Sequence, residues 1–203
     1  SGNFAVPIQF GFNGTYTAGV HGPSAPLVLP GSVEDDPGNE FEFFGPGTTF
    51  YTLNLPPGLA YFRAGLFNEF TSGDDDLDVY VYYCPDLECS LRASSTNPDS
   101  NESANVLFPE AGLWAVFVHG FETDGPTAEF DAFNWAFSAT PGSSALAING
   151  NNVATTIEAG LGEETALDLS WSGLPAGNRF LGGISHSSPG GLEGLTVIGI
   201  YTD

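Results

Sequence analysis

Between residues 76 and 83 the chain reads Asp-Leu-Asp-Val-Tyr-Val-Tyr-Tyr, with Leu77, Val79, Val81 and Tyr83 alternating with Asp78, Tyr80 and Tyr82. A period of two sends successive side chains to opposite faces of an extended chain, so this is a strand with an apolar inner face and a polar, aromatic outer one. Apolar runs and alternations of this kind predict further strands over residues 7–12, 16–21, 48–55, 60–67, 104–108, 113–119 and 130–139. After a break they resume over 145–149, 153–158, 165–171, 179–186 and 195–201. No stretch carries a convincing helical period, and helices are expected to be scarce.

Turn chemistry divides these runs. Pro23, Pro26, Pro30 and Asp35-Asp36-Pro37 mark a turn-rich passage, and Leu55-Pro56-Pro57-Gly58 interrupts any ladder. Residues 92–103, rich in Ser and Asn, read as a loop. Thr140-Pro141-Gly142-Ser143-Ser144 is the best boundary, where small residues replace the aromatic density before it. The expected fold is therefore all-β: an antiparallel, jelly-roll-like β-sandwich over 1–140 with a small C-terminal β-appendage over 141–203. A tail of about sixty residues has a marginal core of its own, so it is expected to pack on the first part.

With 203 residues, 41% of them hydrophobic and 13% aromatic, the chain has the means to build a core, which excludes an acidic disordered segment. Its charge narrows the partners. Three arginines, Arg63, Arg92 and Arg179, face 25 acidic residues, giving a net charge of −22 with no lysine. A phosphate backbone or an anionic membrane surface demands clustered cations, so nucleic acid and membrane are both excluded as partners. Self-repulsion favours a monomer at low salt. The sequence holds no apolar run long enough to span a bilayer and no basic start followed by an apolar stretch, so the chain reads as a mature or excised piece. Cys84 and Cys89, its only cysteines, bracket a turn-prone Pro85-Asp86 pair. A short disulfide between them is sterically reasonable and implies a secreted protein in an oxidising compartment.

Candidate chemistry is sparse. Ser, His and Asp are all present, but Gly183-Ile184-Ser185-His186-Ser187 lacks the last glycine of a nucleophile elbow. His21, His119 and His186 lie near predicted strand ends and are expected to be satisfied there. Zinc has no ligand pattern: no His-Glu-x-x-His occurs, and the two cysteines have no second pair at ligand spacing. Calcium has the one physical case. Asp74, Asp76 and Asp78 offer alternating carboxylates, with Asp75 and backbone carbonyls to supplement them, and a solvated acidic turn is the competing reading. An EF-hand is excluded because Pro85 stands where its bidentate Glu belongs. Tyr80 and Tyr82 share the outward face with Asp78 and are candidate binding platforms. Tyr61, Phe70, Phe121 and Trp135 are expected to flank turns. Asn13-Gly14-Thr15 and Asn101-Glu102-Ser103 fit the glycosylation pattern.

Several of these segments, in order, resemble a known family. They are Asp76-Leu77-Asp78-Val79-Tyr80-Val81-Tyr82, the Cys84 to Cys89 loop, Ser100-Asn101-Glu102, Pro109-Glu110-Ala111-Gly112-Leu113-Trp114 and Val116-Phe117-Val118-His119-Gly120. Leu169-Ser170-Trp171-Ser172-Gly173-Leu174-Pro175-Ala176-Gly177 and Arg179-Phe180-Leu181-Gly182 extend the series to the tail. Together they are similar to the C-terminal accessory region of secreted bacterial subtilisin-like serine peptidases, which contains a module of the pre-peptidase C-terminal type. The resemblance runs from about Phe10 to the end; nothing is carried over for residues 1–7 or 41–47. It implies a non-catalytic β-sandwich behind a covalently attached protease domain, which supports secretion or stability or binds proteinaceous, insoluble substrate. It also implies a structural calcium ion in some members, which supports the reading of Asp74, Asp76 and Asp78. A carbohydrate- or polymer-binding module is the alternative.

Overall fold

A computed structural model describes residues 1–203, except for the side chain of Leu87. Fifteen strands are joined by turns, with single turns of 3-10 helix at Asn68–Phe70 and Pro85–Leu87. No helix among the described residues is long and apolar enough to cross a membrane. The chain divides into two compact units, Ser1–Ala25 with Phe137–Asp203, and Pro26–Ala136.

The second unit contains β3 (Leu27–Glu34), β4 (Thr48–Leu55), β5 (Leu59–Gly65), β6 (Asp76–Tyr83), β7 (Ser90–Ser95), β8 (Ser103–Leu107), β9 (Gly112–Glu122) and most of β10 (Thr127–Ser138). They form two four-stranded antiparallel sheets, β3-β10-β5-β8 and β4-β9-β6-β7. The alternation anticipated on β6 is realised. Leu77, Val79 and Val81 join Trp114, Val116 and Val118 of β9 and Phe62, Ala64, Phe130 and Ala132 of the other sheet in one buried core. The apolar area removed from water by these inner faces holds the sheets together. Trp114, fully buried, also donates its indole N–H to the Glu110 carbonyl at 2.9 Å, so its polar atom is satisfied where its ring is most useful.

The other unit contains β1 (Gly2–Gln9), β2 (Gly14–Ser24), β11 (Leu146–Ile148), β12 (Ala154–Ala159), β13 (Glu164–Trp171), β14 (Asn178–Ser188) and β15 (Gly191–Thr202). Its sheets are β1-β13-β11 and β12-β2-β14-β15, again antiparallel, with Tyr16, Ala18, Val20, Leu167, Leu169, Phe180 and Ile184 among the residues buried in its core.

The fold is thus an all-β, multi-sheet antiparallel sandwich. Within it the first 25 residues pair with strands of the tail, a distribution that sequential spans of 1–140 and 141–203 do not contain. β3 and β7 occupy segments whose Pro and Ser content reads as turn and loop. Both are edge strands, where Pro30 and a ladder paired on one side are tolerated. Tyr61 and Trp135 are buried within strands rather than flanking turns, and the histidines also lie inside strands.

Replacing Trp114 by Ala is expected to cost about 3–5 kcal/mol of unfolding free energy, read from the urea midpoint of the intact chain.

Candidate functional site: a strapped aromatic and acidic sheet face

The outward side chains of β4, β9 and β6 line up by strand register. Phe50, Phe117 and Tyr80 are cross-strand neighbours, as are Thr48, His119 and Asp78, and Thr52, Ala115 and Tyr82. An outer face should be wet, yet Ala115, Phe117 and His119 are fully or almost fully buried. The cover is the segment between β3 and β4, residues 36–47, which crosses this face as a strap.

Both ends of the strap are tied to one residue. Asp36 N–H donates to the Gly120 carbonyl at 2.9 Å, and Gly120 N–H donates to the Gly47 carbonyl at 2.9 Å. Neither glycine is replaceable at no cost: a Cβ on Gly120 would strike the Glu34 carbonyl, and Gly47, at φ +61°, would strike Asp36. Between these ends Phe41 stacks on Tyr80, centroids 3.8 Å apart and planes within 15°, while Phe43 and Phe44 pack on Phe117 at 4.8 and 5.1 Å.

An ion triad locks the strap. His119 Nε2 lies 2.9 Å from Asp36 Oδ2, on the strap, and its Nδ1 lies 3.3 Å from Asp78 Oδ2, on β6. A neutral imidazole has one N–H, so only the imidazolium donates to both carboxylates. Burial works against that charge, but the hydrogen bonds to Asp78 and Asp36 outweigh it and hold His119 above its usual pKa of 6.5. Asp36 is held below the usual carboxylate range by His119 first, then by the N–H groups of Gly38 and Glu40. Tyr80 adds its hydroxyl to Asp78 Oδ2 at 3.3 Å.

Next to the triad is a cleft of about 460 Å³, lined by Glu40, Phe41, Asp76, Asp78, Tyr80 and Phe121 among others. Asp76 carries a buried Oδ1 with no hydrogen-bond partner, and burial followed by the charges of Asp78, Asp99 and Glu122 raises its pKa. Glu102, wholly buried, is pushed up to about 7 by burial, despite accepting from Asn97 N–H at 2.5 Å.

The four aspartates anticipated as calcium ligands take different places. Asp74 is exposed at the turn, where its N–H donates to Asp124. Asp75 is turned to the same loop, accepting from Asp124 N–H and Ser72. Only Asp76 and Asp78 face the cleft, and no group of three or more metal-ligating side chains gathers among the described residues. Cys84 and Cys89 form a disulfide, which is consistent with an oxidising compartment. Tyr80 and Tyr82 do point outward but are half-covered by Phe41 and Phe43. The exposed rings are Phe43, Phe44 and Phe50, at 42%, 61% and 48%. Sequence reasoning passed over Asp36, read as a turn, and the strap phenylalanines; the signal available was the alternation of acid and aromatic in Glu40-Phe41-Glu42-Phe43-Phe44.

In the other unit, His21 Nε2 meets Ser185 Oγ at 2.9 Å, but its Nδ1 meets the Ser138 carbonyl rather than a carboxylate. Burial lowers the pKa of His21. His186 bridges Tyr16 Oη at 2.6 Å and Thr196 Oγ1 at 2.8 Å, with its pKa lowered by burial and that of Tyr16 pushed up to about 12. Both are neutral, internally satisfied histidines.

No family model matches the chain, and no curated protein matches it. Among solved structures it is similar to the crystal structure of Bacillus licheniformis lipase BlEst2 in its propeptide form, at 14% identity and a TM-score of 0.36. That match covers 89% of this chain and 42% of the other, so the chain spans less than half of its length. A superposition this loose identifies neither fold nor activity.

Two expectations follow. His119, Glu102 and Asp76, whose folded pKa values are raised, contribute stability that is full at low pH and lost as pH rises through those values. Asp36, whose value is lowered, contributes stability that is lost as pH falls below the ordinary 3.8. Melting temperature should therefore peak near the lower end of the window between the ordinary carboxylate value of 3.8 and the ordinary histidine value of 6.5, fall across it as Glu102 and Asp76 ionise, and fall further above it as His119 loses its proton. Replacing His119 by Gln should lower the melting temperature throughout that window and remove much of the decline above it. Melts across pH on both proteins check this.

Proposed function

We propose that the chain is a non-catalytic accessory region of a secreted subtilisin-like serine protease, a jelly-roll-like module that holds the attached enzyme near proteinaceous substrate or aids its export and stability. The observation that carries the substrate-holding reading is the strapped face. Phe43 and Phe44 on the strap and Phe50 on β4 are left in solvent, supported from beneath by the buried Phe117. Exposed aromatic rings on a fixed frame suit transient adhesion to another protein, because little side-chain freedom is lost on contact. Local concentration of enzyme on an insoluble substrate would then raise turnover without altering the chemistry.

A carbohydrate-binding module with structural calcium is the second reading. Its support is the bare carboxylate oxygen of Asp76 beside Asp78, the start of an oxygen shell for a hard cation. Trp114 and Trp135 are buried, so sugar stacking would fall to half-exposed Trp171 or to phenylalanines.

Co-sedimentation with insoluble proteins and polysaccharides separates the two: retention on protein, diminished by Phe44→Ala, is the expected result, and retention on polysaccharide alone would overturn it. Calcium is tested through Asp76. Without a metal, Asp76→Asn removes the charge from a half-buried carboxylate whose Oδ1 has no partner and should raise the melting temperature at neutral pH, with little effect near pH 4. A lowered melting temperature in calcium-containing buffer, absent after chelation, would instead make Asp76 a ligand.

A further inference from the structure

We infer that the strapped face and its adjoining cleft form a docking site for an arginine-bearing segment of a partner protein. This rests on the substrate-holding reading and names the chemistry of what is held. Three observations meet at one place. The rings of Phe43, Phe44 and Phe50 are exposed and contiguous, through Tyr82 and Phe117, with Phe41 and Tyr80. The cleft beside them has aromatic walls, Phe41, Tyr80 and Phe121, and carboxylates from Glu40, Asp76 and Asp78. The surrounding field is strongly negative, with a net charge of −22.

The cation at this face is the buried imidazolium of His119, whose two donors are already taken by Asp36 and Asp78, and no arginine lines the cleft. Arg63 lies over Tyr61 at 5.7 Å, Arg92 over Tyr83 at 5.3 Å while paired to Glu110, and Arg179 over Tyr201 at 4.8 Å. Each arginine in this protein therefore sits on a tyrosine ring, a stacking contact of the kind that the exposed phenylalanines of this face offer to an outside guanidinium. Guanidinium fits the site better than a compact ammonium. It is planar and weakly hydrated, stacks on an aromatic face, and presents several donors to separated carboxylates. The carboxylates of the cleft do not gather into a metal-ligating group, whereas a fork of donors does not need them to converge on a point.

The test uses the intact chain and fluorescence anisotropy of a labelled arginine–glycine repeat peptide, with a lysine–glycine peptide of equal length and charge as comparison, in moderate salt. The arginine peptide should bind more tightly, by about threefold for each ring it stacks on. Phe44→Ala and Phe50→Ala should each erase about that margin while leaving lysine-peptide binding unchanged. Glu40→Gln, a conservative change at an exposed position, should weaken both peptides. Equal binding of the two peptides, unaffected by the phenylalanine variants, would overturn the proposal by showing that the acidic field alone attracts them; so would no binding at all. A dimer in sedimentation that Phe44→Ala converts to monomer would also overturn it, because a second copy would then occupy the face. Retention of the wild-type chain on insoluble protein, measured alongside, separates the two claims. If retention persists while the peptide results fail, the substrate-holding reading stands and the docking site falls. If the peptides bind as expected and retention is absent, the site stands and the substrate-holding reading falls.

Discussion

One buried histidine holds the most distinctive part of this molecule together. His119 stands in the middle of a strand, on the side of the sheet that would ordinarily face water, and donates to carboxylates on two different elements. One of them, Asp78, is its cross-strand neighbour by register. The other, Asp36, begins the strap. A buried charge is expensive to leave unpaired and tolerable when its partners are fixed, so the triad gives the strap one seating rather than many. The stacking of Phe41 on Tyr80 and the packing of Phe43 and Phe44 on Phe117 all follow from that seating.

The arrangement also explains how so acidic a chain uses its few positive groups. The three arginines are laid on tyrosine rings, and the buried imidazolium is spent on closing the strap. What remains exposed on the strap includes carboxylate and phenylalanine. The strap sequence Glu40-Phe41-Glu42-Phe43-Phe44 contains both, and Phe43 and Phe44 stay exposed while their rings touch Phe117. Like charge spread over the surface, −22 in all, opposes contact between copies of the chain at low salt and so works against self-association through the local aromatic patch.

Much of the fold was legible because it rests on local alternation. β4, β6 and the long strands β9 and β10 lie where period-two patterning puts them, and the cysteine pair closes as its spacing suggests. β3 and β7 were not legible, because an edge strand paired on one side keeps the Pro and Ser that ordinarily signal turns. The pairing of residues 1–25 with the tail was hidden for a different reason: it is a long-range choice between strands of similar character, and no local pattern encodes it. The site was half legible. Asp76, Asp78, Tyr80 and Tyr82 are all on the face expected of them, but their meaning depends on a covering segment whose residues looked like a turn followed by unassigned chain. His119 could have been placed only by knowing which residue of β6 it faces.

The most direct measurement is the ring nitrogen chemical shifts of His119 followed by NMR across pH. With both nitrogens donating to carboxylates, the account predicts an imidazolium whose two nitrogens stay protonated past the ordinary histidine value of 6.5. A neutral ring with one bare nitrogen at pH 6, or a titration midpoint at or below that value, would contradict it and leave the strap without its lock.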